Sequence, residues 1–181
     1  MNIFPSVYLI TISVVAFCFG CSKQNAGSNW KTFRSEEGEF SVLFPGVPKE
    51  EIRNTKPFPA HMFIYKVDET TSYVVTYCDV PEQPDPRGPH KIFEDARETI
   101  LGKDGKPLQE VPIVLNGYSG REMEWEPNYA NKKYGEAFAI AHFFVTKKHF
   151  YEVFAGMPTQ DRFSTNYWHF LNSFKLETKK F

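Results

Sequence analysis

EAFAIAHFFV, residues 136–145, is followed after a Lys147-Lys148 turn by HFYEVFA, residues 149–155. Side chains of an extended chain alternate between two faces. Phe138, Ile140, His142 and Phe144 therefore share one face, and Ala137, Ala139, Ala141, Phe143 and Val145 share the other. Both faces are apolar, which predicts a central strand covered on both sides. The small alanines predict a helix packed closely against theirs. The expected fold is α+β, an antiparallel sheet sandwiched by helices in an α/β/α arrangement.

Short strand signals precede this hairpin. Upstream they read Trp30–Arg34, Glu39–Phe44, Lys49–Arg53 as an edge strand, Ala60–Val67, Ser72–Val80, Leu108–Leu115 and Tyr118–Glu126. PEQPDPRGPH, with Pro81, Pro84, Pro86 and Pro89, is a loop, because proline supplies no backbone donor. His90–Leu101 reads as a helix, with Ile92, Phe93, Ala96, Ile100 and Leu101 on one face and Gly102 as its stop. A second helix is expected from Pro158 and Thr159 onward, with Phe163, Tyr167, Phe170 and Phe174 at helical spacing. EPNYANKKYG is a longer polar loop before the hairpin.

The chain has 181 residues, 17% of them aromatic, and a formal net charge of −1. Such aromatic content excludes disorder, and near-neutral charge argues against nucleic-acid binding, which needs a basic footprint. The first 20 residues carry no Asp, Glu, Lys or Arg, so the charge begins with the body. Val7–Phe19 is an apolar run of 13 residues ending at Gly20-Cys21, after which SKQNAGSN is a polar tether. This resembles the lipobox of bacterial lipoproteins, whose cysteine receives a diacylglycerol, is acylated (palmitate) and becomes the mature N-terminus. The resemblance implies lipidation at Cys21 and export to the periplasm and cell envelope, anchored to the outer membrane or to the periplasmic face of the inner membrane. Ser22, rather than Asp, is the outer-membrane pattern in enterobacteria. The alternative is an uncleaved anchor, since Ile3–Gly20 is 18 residues, just long enough to span. The expected organisation is a signal peptide at 1–20, a tether at 21–29, one folded domain at 30–177 and a tail at 178–181. With Cys18 removed and Cys21 lipidated, Cys78 stands alone and no internal disulfide is possible.

FSVLFPGVP (Phe40–Pro48), GYSGRE (Gly117–Glu122) and FLNSFKL (Phe170–Leu176) are similar to segments of the PsbP-like family, in the same order. That family includes the extrinsic photosystem II protein, a Ran-GTPase-binding import factor and periplasmic bacterial lipoproteins. The resemblance spans about residues 29–177 and implies the same antiparallel sheet between helices. Its known members mostly bind protein partners or have no assigned activity, so no catalytic motif carries over.

No catalytic constellation is complete in the sequence. Gly117-Tyr118-Ser119-Gly120 begins like a nucleophile elbow, but Arg121 replaces the last glycine and the segment leads into a strand. Glu122, Glu124 and Glu126 alternate with Met123 and Trp125, so three carboxylates are expected on one solvated face, about 6.8 Å apart at the backbone. That spacing suits a carboxylate pair or Ca²⁺, yet no Asp, Asn or Gly loop completes a cage. The histidines show no metal signature, and no cofactor is implied. His142 is expected as a core histidine, with His149 about 13 Å away across the hairpin. A soft-metal pair of His61 and Met62 is the weakest metal reading. Cys78, in YVVTYCDV, reads as a small buried hydrophobe.

Two loops are the expected contact surfaces for an envelope protein partner. One offers Trp125, Tyr129, Lys132, Lys133 and Tyr134, aromatics beside cations. The other is stiffened by proline and offers Pro84, Pro86 and Arg87. The function expected from sequence is a non-catalytic, lipid-anchored, partner-binding module. The alternative is a small-molecule or lipid carrier with an apolar pocket between sheet and helix.

Overall fold

A computed structural model describes residues 30–56, 58–81, 88–102, 107–127 and 135–177. The chain forms β1 (Lys31–Ser35), β2 (Phe40–Phe44), β3 (Lys49–Arg53), β4 (Ala60–Lys66) and β5 (Ser72–Asp79). Helix α1 (Pro89–Leu101) comes next, followed by β6 (Gln109–Leu115), β7 (Tyr118–Trp125), β8 (Ala137–Val145) and β9 (His149–Pro158). Helix α2 (Thr165–Asn172) and the short β10 (Lys175–Leu176) complete it. A seven-stranded antiparallel sheet runs β3-β4-β5-β9-β8-β7-β6, and a three-stranded sheet runs β1-β2-β10. No helix among the described residues is long and apolar enough to cross a membrane.

The β8–β9 hairpin is central to the large sheet, and Phe138 through Val145 are all buried. On one face, Phe138, Ile140 and Phe144 meet Tyr151 and Val153 under a roof of Phe40, Val42 and Phe44 from β2 with Tyr167 and Phe170 from α2. On the other, Ala139, Ala141 and Phe143 lie beneath Phe93 and Ala96 of α1, and the missing side-chain bulk at the two alanines lets the helix sit close. Each large side chain in these clusters contributes roughly 1.5–3 kcal/mol by leaving water. The sandwich is thus as expected, with one addition: the aromatic face is roofed partly by a second, small sheet.

The second helix begins later than its periodicity predicts. Ala137 pairs with Pro158, and the Thr159 N–H donates to the Glu136 carbonyl at 3.1 Å, so β9 runs on to Pro158. One 3-10 turn, Thr159–Asp161, follows, and Ser164 Oγ then accepts the Asn166 N–H at 3.3 Å as the N-cap of α2. Phe163 therefore precedes the helix and is 88% exposed, instead of lying on its apolar face. Phe174 lies beyond the helix but remains in the core, stacked on Phe144 with ring centroids 5.8 Å apart.

The Gly117-Tyr118-Ser119-Gly120 segment is a hairpin corner. Asn116 (φ 51°) and Gly117 (φ 82°) both take left-handed conformations, as a two-residue turn matched to strand twist requires. Gly120 serves a different purpose, because a Cβ there would stand 2.6 Å from the Phe143 carbonyl oxygen and 2.7 Å from the Phe144 ring. Gly120→Ala is expected to destabilise the fold by about 1–3 kcal/mol in urea titration, and Gly117→Ala by less, through backbone strain alone.

Candidate functional site

Glu122 and Glu124 do not form the solvated acidic face expected of them. Their strand face turns toward α2 and the segment before it, so both side chains are largely buried, and only Glu126, past the end of β7, is exposed. Glu122 lies opposite His142 in the ladder, and its Oε2 is 2.8 Å from His142 Nε2. Glu124 Oε2 accepts from Arg162 Nη2 at 3.2 Å, and the Arg162 guanidinium also lies over the Phe138 ring. Burial lowers the His142 pKa, while the Glu122 hydrogen bond and charge pull it back up. At neutral pH the pair is a neutral imidazole donating to a carboxylate. Each carboxylate is held by an internal partner, which leaves no pair facing open space for acid and base roles. Met123 and Trp125 point to the opposite face, as the alternation predicted.

On the α1 side, Cys78 and Glu152 sit in the second core. Cys78 is 8% exposed, and burial pushes its thiol up to about 12, with Asp79 and Glu152 adding charge repulsion. That is an inert thiol, as the strand setting predicted. Glu152 is 3% exposed, flanked along β9 by Phe150 and Phe154 and paired across the ladders with Thr76 and Phe143. Burial raises its carboxyl to about 7, and Thr76 partly offsets the rise. Thr76 Oγ1 nevertheless makes no well-aligned hydrogen bond, so its help is small. A glutamate in that strand was legible in sequence, but its isolation follows from the helix roofing it.

Of the other histidines, His61 and His149 are packed against rings, while His90 is exposed on α1 near Glu94. His61 stacks on Tyr77 with centroids 4.7 Å apart, while Met62 points to the α1 side, so the two cannot share an ion. His149 is buried edge-on to Tyr77 and Tyr151, its Nδ1 3.0 Å from Asp79 Oδ1. Burial lowers its pKa and Asp79 opposes that. Among the described residues no three His, Cys, Asp or Glu side chains are placed to hold a metal.

Of the residues expected to contact a partner, Trp125 belongs to the core: it is 6% exposed and packs its ring on Phe154 at 5.8 Å between centroids. Strand alternation turns it under α1, so it is a core residue and not a surface one. Tyr129, Lys132, Lys133, Tyr134, Pro84, Pro86 and Arg87 lie outside the described residues, as does Cys21. The anchor points of the two loops are nonetheless fixed. The proline loop leaves β5 at Asp79, opposite His149, and the other loop re-enters at Ala137, opposite Pro158. Those are the two ends of β9, about 30 Å apart at about 3.4 Å per residue.

A hollow of about 730 Å³ opens between the small sheet and α2. Thr32, Ser41 and Leu43, which alternate with the core-facing residues of β1 and β2, form its floor. Thr165, His169 and Asn172 line its helix side at successive turns, with Trp168 alongside. Trp30 stands at the edge, its ring edge-on to His169 at 4.9 Å and tilted on Tyr73 at 5.6 Å. Ser173 fastens helix to sheet at the base, accepting the Leu43 N–H at 2.9 Å and donating to the Phe170 carbonyl at 2.6 Å. Sequence reading missed this site because its residues lie on the polar edge of a short helix. The available signal was the Thr165, His169, Asn172 stripe beside Trp168, which is only partly buried against the core and Tyr167.

No family model matches the sequence, and no curated protein matches it. Among solved structures, the architecture is similar to the solution structure of cyanobacterial PsbP (CyanoP) from Synechocystis sp. PCC 6803. The TM-score is 0.59 at 8% identity, covering 87% of this chain and 98% of that one. A Bacteroides thetaiotaomicron VPI-5482 protein, solved at 1.50 Å resolution, gives a TM-score of 0.50 at 9% identity. That match covers 82% of this chain but 49% of the other, so this chain spans about half its length. The antiparallel α+β sandwich is thus a PsbP-like fold, and at these identities the likeness concerns the fold alone.

Two measurements check the buried groups. Because Glu152 holds its proton in the folded state where the unfolded chain has lost it, its contribution to stability is fully present below pH 4.5. It is lost as pH rises to about 7, at a cost of about 3 kcal/mol. The stability of Glu152→Gln relative to the wild type should therefore grow by about that amount between those limits in denaturant titrations at several pH values. Unchanged relative stability would mean that the carboxylate has a partner. Cys78 should resist a disulfide thiol reagent in the native protein at pH 8 and react fully in denaturant.

Proposed function

We propose that this chain is a lipid-anchored protein of the bacterial cell envelope, a non-catalytic module that binds an envelope protein. The carrying observation is that every cluster able to suggest catalysis is internally committed. Glu122 pairs with His142, Glu124 with Arg162 and His149 with Asp79, while Cys78 and Glu152 are sealed beneath α1. The resemblance to the PsbP-like family, whose known members mostly bind protein partners or have no assigned activity, supports this reading, and the leader ending at Cys21 supports the anchor. A carrier of lipids would need a deep apolar cavity. The described core is filled from both faces of the large sheet, and the hollow beside α2 is open and edged with hydroxyl and amide groups.

Wild-type protein expressed in a bacterial host should sediment with membranes and need detergent for release, since two or more acyl chains hold firmly. Cys21→Ala should abolish lipid labelling and leave the mature domain in the soluble fraction. A Cys21→Ala protein that stays with the membrane overturns the lipid anchor. The two loops leave from opposite ends of β9, so each is replaced separately. Chemical crosslinking in native membranes should be lost on replacing Pro84, Pro86 and Arg87, or on replacing Tyr129, Lys132, Lys133 and Tyr134, and crosslinking that survives both replacements overturns the loops as the contact surface.

A further inference from the structure

We propose that the hollow between the small sheet and α2 is a saccharide-binding site that takes a short stretch of neutral pyranose rings. It is a second recognition site, separate from the loops. The inference rests on what the lining offers and what it withholds. Two tryptophans, Trp30 and Trp168, stand at its sides. An indole is large, rigid and amphipathic, and its face accepts the C–H side of a sugar ring as it accepts other apolar surface. Between them Thr32, Ser41 and Thr165 present hydroxyls, and Asn166 and Asn172 present amides. Amides and hydroxyls both donate and accept, which is what vicinal sugar hydroxyls require. Among the described residues, no side-chain hydrogen bond engages Thr32, Thr165, Asn166 or Asn172, so these groups are available without breaking the fold.

Other ligand classes fit less well. No Asp or Glu lines the hollow, so a cation or basic peptide finds no counter-charge. Lys175 and His169 are the basic residues of the lining, far short of the basic track a nucleic acid needs. A fatty chain would need enclosure, but this site is open and has Leu43 and Val42 as its aliphatic members. A volume of about 730 Å³ suits a small molecule of several rings, not a protein loop with its own folded support. The wall is also pre-ordered: Trp30 rests on Tyr73 and His169, and Ser173 ties α2 to β2, so binding orders few side chains.

The test is calorimetric titration of the full-length protein, held in a detergent without a sugar headgroup. Cellotetraose and chitotetraose are the probes in separate arms. Binding in either arm, weakened about tenfold or more by Trp168→Ala and by Asn172→Ala, supports the site, and the responsive arm tells plain hexose from N-acetylhexosamine. Asn172 is exposed on the outer edge of α2, so its substitution leaves the core intact and answers for any folding defect in Trp168→Ala. No heat in either arm at about 10 mM, or binding that both variants leave unchanged, overturns the proposal. Loop-dependent crosslinking to a membrane protein would be unaffected by that failure.

Discussion

The structure depends on a strand with no wet face. From Phe138 to Val145 every side chain of β8 is buried, so the large sheet requires a roof on both sides. What each roof is made of follows from side-chain volume. The alanine face leaves shallow space that one helix fills, with Phe93 and Ala96 of α1 set directly over Ala139 and Ala141. The aromatic face is rougher and wider, and it is met by α2 together with the β1-β2-β10 sheet, whose Phe40 and Phe44 interlock with Phe174 and Phe170. An interior packed to crystal-like density leaves such faces few alternative partners. The same packing brings β7 within contact of β8 at Gly120, where no side chain can be placed.

Covering both faces forces a decision on each polar group that falls beneath a roof. Burial of a charge is tolerable when it is paired and costly when it is not. On the α2 side His142 and Glu122 meet one another across the β7–β8 ladder, and Arg162 comes down from the segment after β9 to meet Glu124. On the α1 side Glu152 has no cation among the described residues, so protonation is what lowers its cost. The two sides therefore respond to pH in opposite senses. The unfolded chain protonates at His142 before the folded one does, so that histidine weakens the fold as pH falls below about 6.5. Glu152 weakens it as pH rises.

Where the fold was legible in the sequence, the reason is period. The two apolar faces of β8, the Ile92, Phe93, Ala96, Ile100, Leu101 stripe of α1 and the turn at Asn116-Gly117 all appear where alternation and turn chemistry put them. Tertiary context decided the rest. Phe163 continues the period of Tyr167 and Phe170, yet ladder pairing at Pro158 and the Ser164 cap fix the helix start after it. Glu122 and Glu124 read as a solvated face because sequence alternation cannot tell whether a second layer lies above a polar edge. β10 is two residues long and carries no pattern, so the split into two sheets could not be read. The sites were less legible than the fold: the hollow is assembled from β1 and β2 on one side and, on the other, α2, more than a hundred residues later.

Trp30 joins the two halves of the functional reading. It lines the hollow, and it is also where the folded domain begins after the 21–29 segment. With Cys21 lipidated as proposed, that segment of nine residues can reach no farther than about 30 Å when fully extended. On that proposal the anchor would bear on one edge of the hollow, and a saccharide held there would lie within that reach of the membrane surface. The Pro158 end of β9 lies near this same edge, since Trp30 rests on Tyr73 and Tyr73 pairs with Ala155. The proposed membrane attachment and ring recognition would then share the Trp30 edge, while the Asp79 end of β9, where the proline loop leaves, lies six residues along the strand from Ala155, about 20 Å away at about 3.4 Å per residue.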